Sequence, residues 1–183
     1  LSRAVAFEEL MKIENQDNHE KFLQNFLLVN TSKSYLKEVL DLHNDIQNMS
    51  AGKILPELKL QDHLLNTIST VKLIDKPTVF YFWSQTQMSH YKNTIIKVKD
   101  LEKRFPKYDF KGICIQPFNE IVFEVHRMMN IDPKTQLAFT NFDKDSKKWV
   151  LSLLNRAIVV EANREIKEGF ANFSSTNFEN LLY

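Results

Sequence analysis

Pro77-Thr78-Val79-Phe80-Tyr81-Phe82-Trp83-Ser84-Gln85-Thr86-Gln87 is the stretch on which the fold turns. Residues 78–82 are β-branched and aromatic with no charge among them, the pattern of a strand buried on both faces. A helix follows. Met88, Tyr91, Ile95, Val98, Leu101 and Phe105 mark one face of it, Lys92, Lys97, Lys99, Asp100, Glu102 and Lys103 fall elsewhere, and Pro106 ends it. Ser84, Gln85, Thr86 and Gln87 therefore occupy the junction between a buried strand and a helix.

Downstream, residues 110–115 read as a second central strand, stopped at Gln116-Pro117. Asn119 can cap a helix carrying Ile121, Val122, Val125, Met128 and Met129, with Glu120 well placed for its dipole. After Asp132-Pro133, residues 136–139 are a short strand, 146–154 are expected to be helical, and 156–161 give another strand. Residues 165–170 can return antiparallel across Ala162-Asn163-Arg164, and 176–183 suggest a terminal helix. Upstream, Leu58 and Leu60 alternate with polar residues as an edge strand, and 66–73 can supply another. Gly52-Lys53-Ile54-Leu55-Pro56 breaks an earlier helical period into an extended segment. Before it come two helical patterns, one on Phe22, Leu23, Phe26 and Leu27, the other on Tyr35, Val39, Leu42, Ile46 and Met49. Asn30-Thr31-Ser32 separates them and can cap the second. The sum is an α/β sandwich with a mixed sheet, right-handed early crossovers and a helical preface.

The 183 residues fit one domain with a small appendage. At 43% hydrophobic, with fourteen Phe, the chain can build a substantial core. Its 24 basic and 23 acidic residues leave a net charge of +1, so nothing steers it toward nucleic acid or a membrane surface. No apolar run is long enough to span a bilayer. Three glycines cannot build a phosphate-binding loop. The first residue is Leu1, so a processed or trimmed chain is expected, with any signal peptide or lipid-attachment cysteine lying before it.

On these residues the segment from Gly52 to Tyr183 resembles the thioredoxin-like superfamily, particularly its TlpA/ResA and AhpC/TSA-like branch. Gly52-Lys53-Ile54-Leu55-Pro56-Glu57-Leu58 is similar to that family's Gly–x–x–x–Pro–x–Leu approach. Thr78 to Trp83 resembles the central strand, and Ser84-Gln85-Thr86-Gln87 stands at the Cys–x–x–Cys position. Asn155-Arg156-Ala157-Ile158-Val159-Val160-Glu161-Ala162-Asn163-Arg164-Glu165-Ile166 resembles the Pro–Thr–Thr strand, turn and last hairpin. The helical preface and the Lys/Asn/Phe-rich usage resemble envelope members from Bacteroidetes. The resemblance implies a thioredoxin-like three-layer sandwich over 51–183, a helical extension over 1–50, and a periplasmic or cell-envelope location.

The chemistry of that family does not carry over. It needs a thiolate at a helix N-terminus and a second thiol to resolve the mixed disulfide. Here Ser84 holds the nucleophilic position and Gln87 the resolving one, so dithiol exchange is lost. Ser84 has no base with an acidic orienter in reach, and a structural hydrogen bond or helix cap is its expected role. The family's cis-proline falls on Asn155, and a cis Leu154–Asn155 bond would cost about 2.5–4 kcal/mol, so a trans bond is expected.

Cys114, the only cysteine, is read as a small core residue of a strand. The competing reading, a reactive thiol of a diverged oxidoreductase or peroxidase, requires it to be exposed and acidic. His19, His43, His63, His90 and His126 are dispersed and are read as surface or half-packed residues, and Asp143 and Asp145 lack the rest of a calcium loop. No metal or cofactor is expected. Trp83 is read as core, while Trp149 could be core or pocket.

The expected function is therefore a redox-inactive binding or scaffolding module. Ser84, Gln85, Thr86, Gln87, Asn155 and Arg156 would rim its cleft, and Tyr81 and Trp83 would support it. The partner would be an envelope protein or an extended peptide that adds along a sheet edge. A one-cysteine enzyme and a structural oligomerisation domain are the alternatives.

Overall fold

A computed structural model describes residues 21, 22, 24, 25, 28, 33–151 and 153–183, without the side chains of 33, 35 and 36. The chain divides between Asn48 and Met49 into two units. In the first, helix α1 (Lys33–Asn48) buries Val39, Leu42 and Ile46, three and four residues apart along one stripe. Met49, which the spacing joins to that stripe, lies in a turn just beyond the helix. Leu23, Phe26, Leu27 and the expected caps Asn30, Thr31 and Ser32 lie outside the described residues, as does the side chain of Tyr35.

The second unit is built on seven strands. They are β1 (Lys59–Gln61), β2 (Thr67–Ser69), β3 (Thr78–Trp83), β4 (Asp109–Cys114), β5 (Gln136–Phe139), β6 (Arg156–Val160) and β7 (Ile166–Asn172). Their order across the sheet is β2-β1-β5-β4-β3-β6-β7. The strands β3, β4 and β5 run parallel, and all other pairs are antiparallel. Central placement explains the composition of β3, in which all six residues are buried.

Parallel neighbours need crossovers, and two helices provide them: α2 (Met88–Arg104) and α3 (Glu120–Met128). The apolar face expected for α2 is the one it packs, with Tyr91, Ile95, Val98 and Leu101 buried in one core with Val79, Tyr81 and Trp83. Asn119 caps α3 as expected, its Oδ1 accepting from Val122 N at 3.1 Å. On the other face of β3, the rings of Phe80 and Phe82 lie 5.3 and 6.3 Å from that of Trp149. Trp149 is fully buried and donates from Nε1 to Pro56 O at 2.7 Å, so it belongs to the core.

One local expectation needs correction. The described residues of 146–154 are not helical. The helix there, α4 (Phe142–Asp145), is a single turn, and the chain then runs through successive turns to a left-handed Val150 at φ 52°. Ser152, within the expected helix, lies outside the described residues. The expected terminal helix is present as a short 3-10 helix (Phe178–Leu182), with Phe178 and Leu182 buried in the core that also holds Phe173. Gly52, with φ 82°, supplies the turn that ends the helical period.

Candidate functional site

Ser84 follows β3 directly and is 1% exposed. Its Oγ accepts from Gln116 Nε2 at 2.8 Å and from Thr86 N at 3.2 Å, and lies 2.8 Å from Thr86 Oγ1. Gln116 Oε1 in turn accepts Gln85 N at 3.0 Å. The hydroxyl is held by an amide and another hydroxyl, neither of them a base, and it cannot be activated for acyl chemistry. Ser84 does not cap the helix: α2 starts at Met88, and Gln87 is the capping residue, without a side-chain cap bond.

The neighbouring thiol is sealed too. Cys114 ends β4, is fully buried, and lies 3.5 Å from Gln116 Oε1 and 3.7 Å from Gln85 Nε2. Burial pushes its pKa up to about 11. Gln85 lies across it as a latch: its Nε2 donates to Pro117 O at 2.6 Å and its Oε1 accepts from Asn119 Nδ2 at 2.6 Å. The exposure and acidity that peroxidase chemistry requires of Cys114 are both missing.

The β3–β6 register pairs Tyr81 with Ala157, which brings Asn155 and Arg156 to the same sheet end as Trp83 and Ser84. No peptide bond among the described residues is cis, and Leu154–Asn155 is trans. Asn155 O accepts from Phe173 N at 2.6 Å. Arg156 points inward and is 5% exposed. Its guanidinium donates to the carbonyls of Gly169, Trp149 and Val150, and its Cζ stands 4.3 Å from the centre of the Phe170 ring. Burial lowers its pKa to about 9, with Glu168 pulling the other way, so it stays protonated at neutral pH. Of the residues read from the sequence as a cleft, only Gln85, Thr86, Gln87 and Asn155 present surface; Tyr81, Trp83, Ser84 and Arg156 are buried.

Sequence reasoning missed a polar chain through the core. His126, read as surface or half-packed, is 3% exposed. Its Nε2 is 2.9 Å from Tyr91 Oη, which donates to Gln136 Oε1 at 3.2 Å, and Gln136 Nε2 donates to Tyr81 Oη at 2.9 Å. Burial lowers the His126 pKa to about 4 and raises both tyrosines, so all three are neutral at pH 7. The chain lies across one row of the parallel strands, Tyr81 beside Gly112 beside Gln136. Gly112 is required there: a Cβ would sit 2.3 Å from Gln136 Oε1 and 2.7 Å from the Tyr81 ring. A glycine inside a buried strand was the available signal.

Among the described residues no group of His, Cys, Asp and Glu could hold a metal ion, and no helix is long and apolar enough to cross a membrane. No family model and no curated protein matches the chain. Solved structures do. The thioredoxin domain of a thiol-disulfide oxidoreductase from Bacteroides vulgatus superposes with a TM-score of 0.52 at 16% identity, over 64% of this chain and 85% of that one. A proposed thiol-disulfide oxidoreductase from the same organism gives 0.58 at 12% identity, over 74% of this chain and 96% of that one. A thiol:disulfide interchange protein from Bacteroides sp. gives 0.52 at 15% identity, over 64% and 78%. At such identities the likeness establishes architecture: this chain has a thioredoxin-like fold, with one cysteine and no Cys–x–x–Cys pair.

Proposed function

We propose that this protein is a redox-inactive thioredoxin-like module of the bacterial cell envelope, related to the TlpA/ResA and AhpC/TSA-like branch, that binds or scaffolds a protein or extended peptide. In this reading residues 51–183 are the binding domain and 1–50 a helical extension. The observation that carries it is the state of the two candidate nucleophiles. Ser84 Oγ is held by Gln116 and Thr86, and the Cys114 thiol is buried beneath Gln85. Of the eight residues read as the cleft, those that reach solvent, Gln85, Thr86, Gln87 and Asn155, present amide and hydroxyl groups. Such groups both donate and accept, which suits the backbone of an extended partner. The envelope location is supported by the structural likeness to a thiol-disulfide oxidoreductase from Bacteroides vulgatus and to a proposed thiol-disulfide isomerase from Cytophaga hutchinsonii.

The test is titration of the full chain with candidate envelope proteins and extended peptides, followed by amide NMR shifts. Saturable shifts confined to residues 84–87 and 155 and weakened by Gln87→Arg support the reading. A flat titration counts against it. Removing residues 1–50 while measuring mass in solution separates cleft binding from assembly through the extension.

A further inference from the structure

A cavity of about 170 Å³ opens between the second half of α2, the segment joining α3 to β5, and the sheet. Liquid water takes about 30 Å³ per molecule, so this space corresponds to about five or six waters, well below a cofactor site. Its floor is polar, formed by Tyr81 and Gln136; its walls are Ile95, Val98 and Ile131; and Lys99, Glu102 and Asp132 stand among its lining.

The protons of the floor can be placed one by one. Thr135 Oγ1 donates to Asp132 O at 2.7 Å, so it can only accept from Gln136 Nε2 at 3.0 Å, which fixes the orientation of the Gln136 amide. The other Nε2 proton goes to Tyr81 Oη, and Gln136 Oε1 takes the proton of Tyr91. Tyr91 Oη then accepts from His126 Nε2. Every donor in the chain has an acceptor except the Tyr81 hydroxyl, whose own proton remains for the cavity although the residue is 1% exposed. A buried donor of this kind favours an occupant that brings an acceptor.

The charged groups are equally specific. Lys99 gives one proton to Met129 O at 2.8 Å and keeps two. Glu102 and Asp132 are exposed carboxylates, and Asp132 accepts one local backbone bond from Lys134 N. One ammonium and two carboxylates over apolar walls match the two poles of a zwitterion.

We propose that this cavity binds a free α-amino acid whose side chain ends in a hydrogen-bond-accepting oxygen. The ligand ammonium meets Glu102 and Asp132, its carboxylate meets Lys99, its stem passes Ile95, Val98 and Ile131, and its terminal oxygen accepts from Tyr81. This site is separate from the rim at residues 84–87, and it stands or falls independently of partner binding there.

The experiment titrates the full chain with L-glutamine, L-homoserine and the apolar L-norleucine, following NMR shifts of Tyr81, Lys99 and Gln136. At least one oxygen-tipped amino acid should bind saturably, and L-norleucine at least about tenfold more weakly. Glu102→Gln should weaken binding by about tenfold, and Tyr81→Phe should erase the preference over L-norleucine. Should Tyr81→Phe fail to fold, Glu102→Gln and Lys99→Met alter side chains outside the polar chain and still decide. Absence of saturable shifts from either oxygen-tipped amino acid up to about 10 mM overturns the proposal. So does binding that neither Glu102→Gln nor Lys99→Met changes.

Discussion

The turn at residues 84–87 and the loop that ends at Arg156 meet at one end of the sheet, yet they use polar groups differently. In the turn, neutral side chains satisfy one another: Ser84 with Gln116 and Thr86, Gln85 with Asn119 and the Pro117 carbonyl. In the loop, a single cation satisfies backbone, as Arg156 reaches the carbonyls of Trp149, Val150 and Gly169. The neutral arrangement leaves Thr86 and Gln87 at the surface, whereas the charged one takes Arg156 out of solvent. This end of the sheet is thus held on one side by amides and on the other by a guanidinium. Neither side retains an ionisable nucleophile at the surface.

The comparison breaks most visibly at Arg156. Replacing it with Ala strands three buried carbonyls and removes packing against Phe170. We expect a loss of about 3 kcal/mol or more, read as a lower urea midpoint. Arg156→Lys, a point charge without the fork, should recover only part of it.

The next largest effect is pH-dependent and lies in the buried chain. His126 titrates at about 4 in the folded protein against an ordinary value near 6.5. The unfolded chain therefore binds the extra proton in between, and stability, complete above about pH 6.5, falls as pH drops toward about 4. A shift of this size corresponds to about 3 kcal/mol at the low end. Urea titrations at several pH values should show the slope, and His126→Gln, which can still donate to Tyr91, should flatten it.

A smaller effect is expected in the turn. Ser84→Ala leaves Gln116 Nε2 and Thr86 without their shared partner. It should lower stability by about 1–2 kcal/mol, and it should also loosen the latch over Cys114, visible as faster amide exchange at Gln85.

Much of this architecture was legible in the chain because the central strands have no alternative. Six consecutive apolar or β-branched residues at Thr78–Trp83 can only be buried on both sides, and the face of α2 follows from its own spacing. The expected helix at 146–154 failed for a tertiary reason. Trp149 is pulled inward to Pro56 O, and Arg156 takes the Trp149 and Val150 carbonyls that a helix would need for itself. The absence of a Cys–x–x–Cys pair could be read directly from Ser84, Gln87 and the single cysteine. The inward turn of Arg156 and the burial of His126 could not, since a lone Arg or His gives no periodic signal. Their partners are distant in sequence, Gly169 for one and Tyr91 for the other.

The central claim, a thioredoxin-like fold without a working thiol, rests most directly on Cys114. The decisive measurement is its alkylation rate in the folded protein as a function of pH, with peroxide and disulfide challenges alongside. Slow reaction throughout the neutral range, accelerated only when denaturant opens the chain, is the predicted result for a thiol pushed to about 11 by burial. Rapid reaction with an apparent pKa below that of an ordinary thiol, together with peroxide-dependent loss of the free thiol, would contradict it and make Cys114 a redox centre.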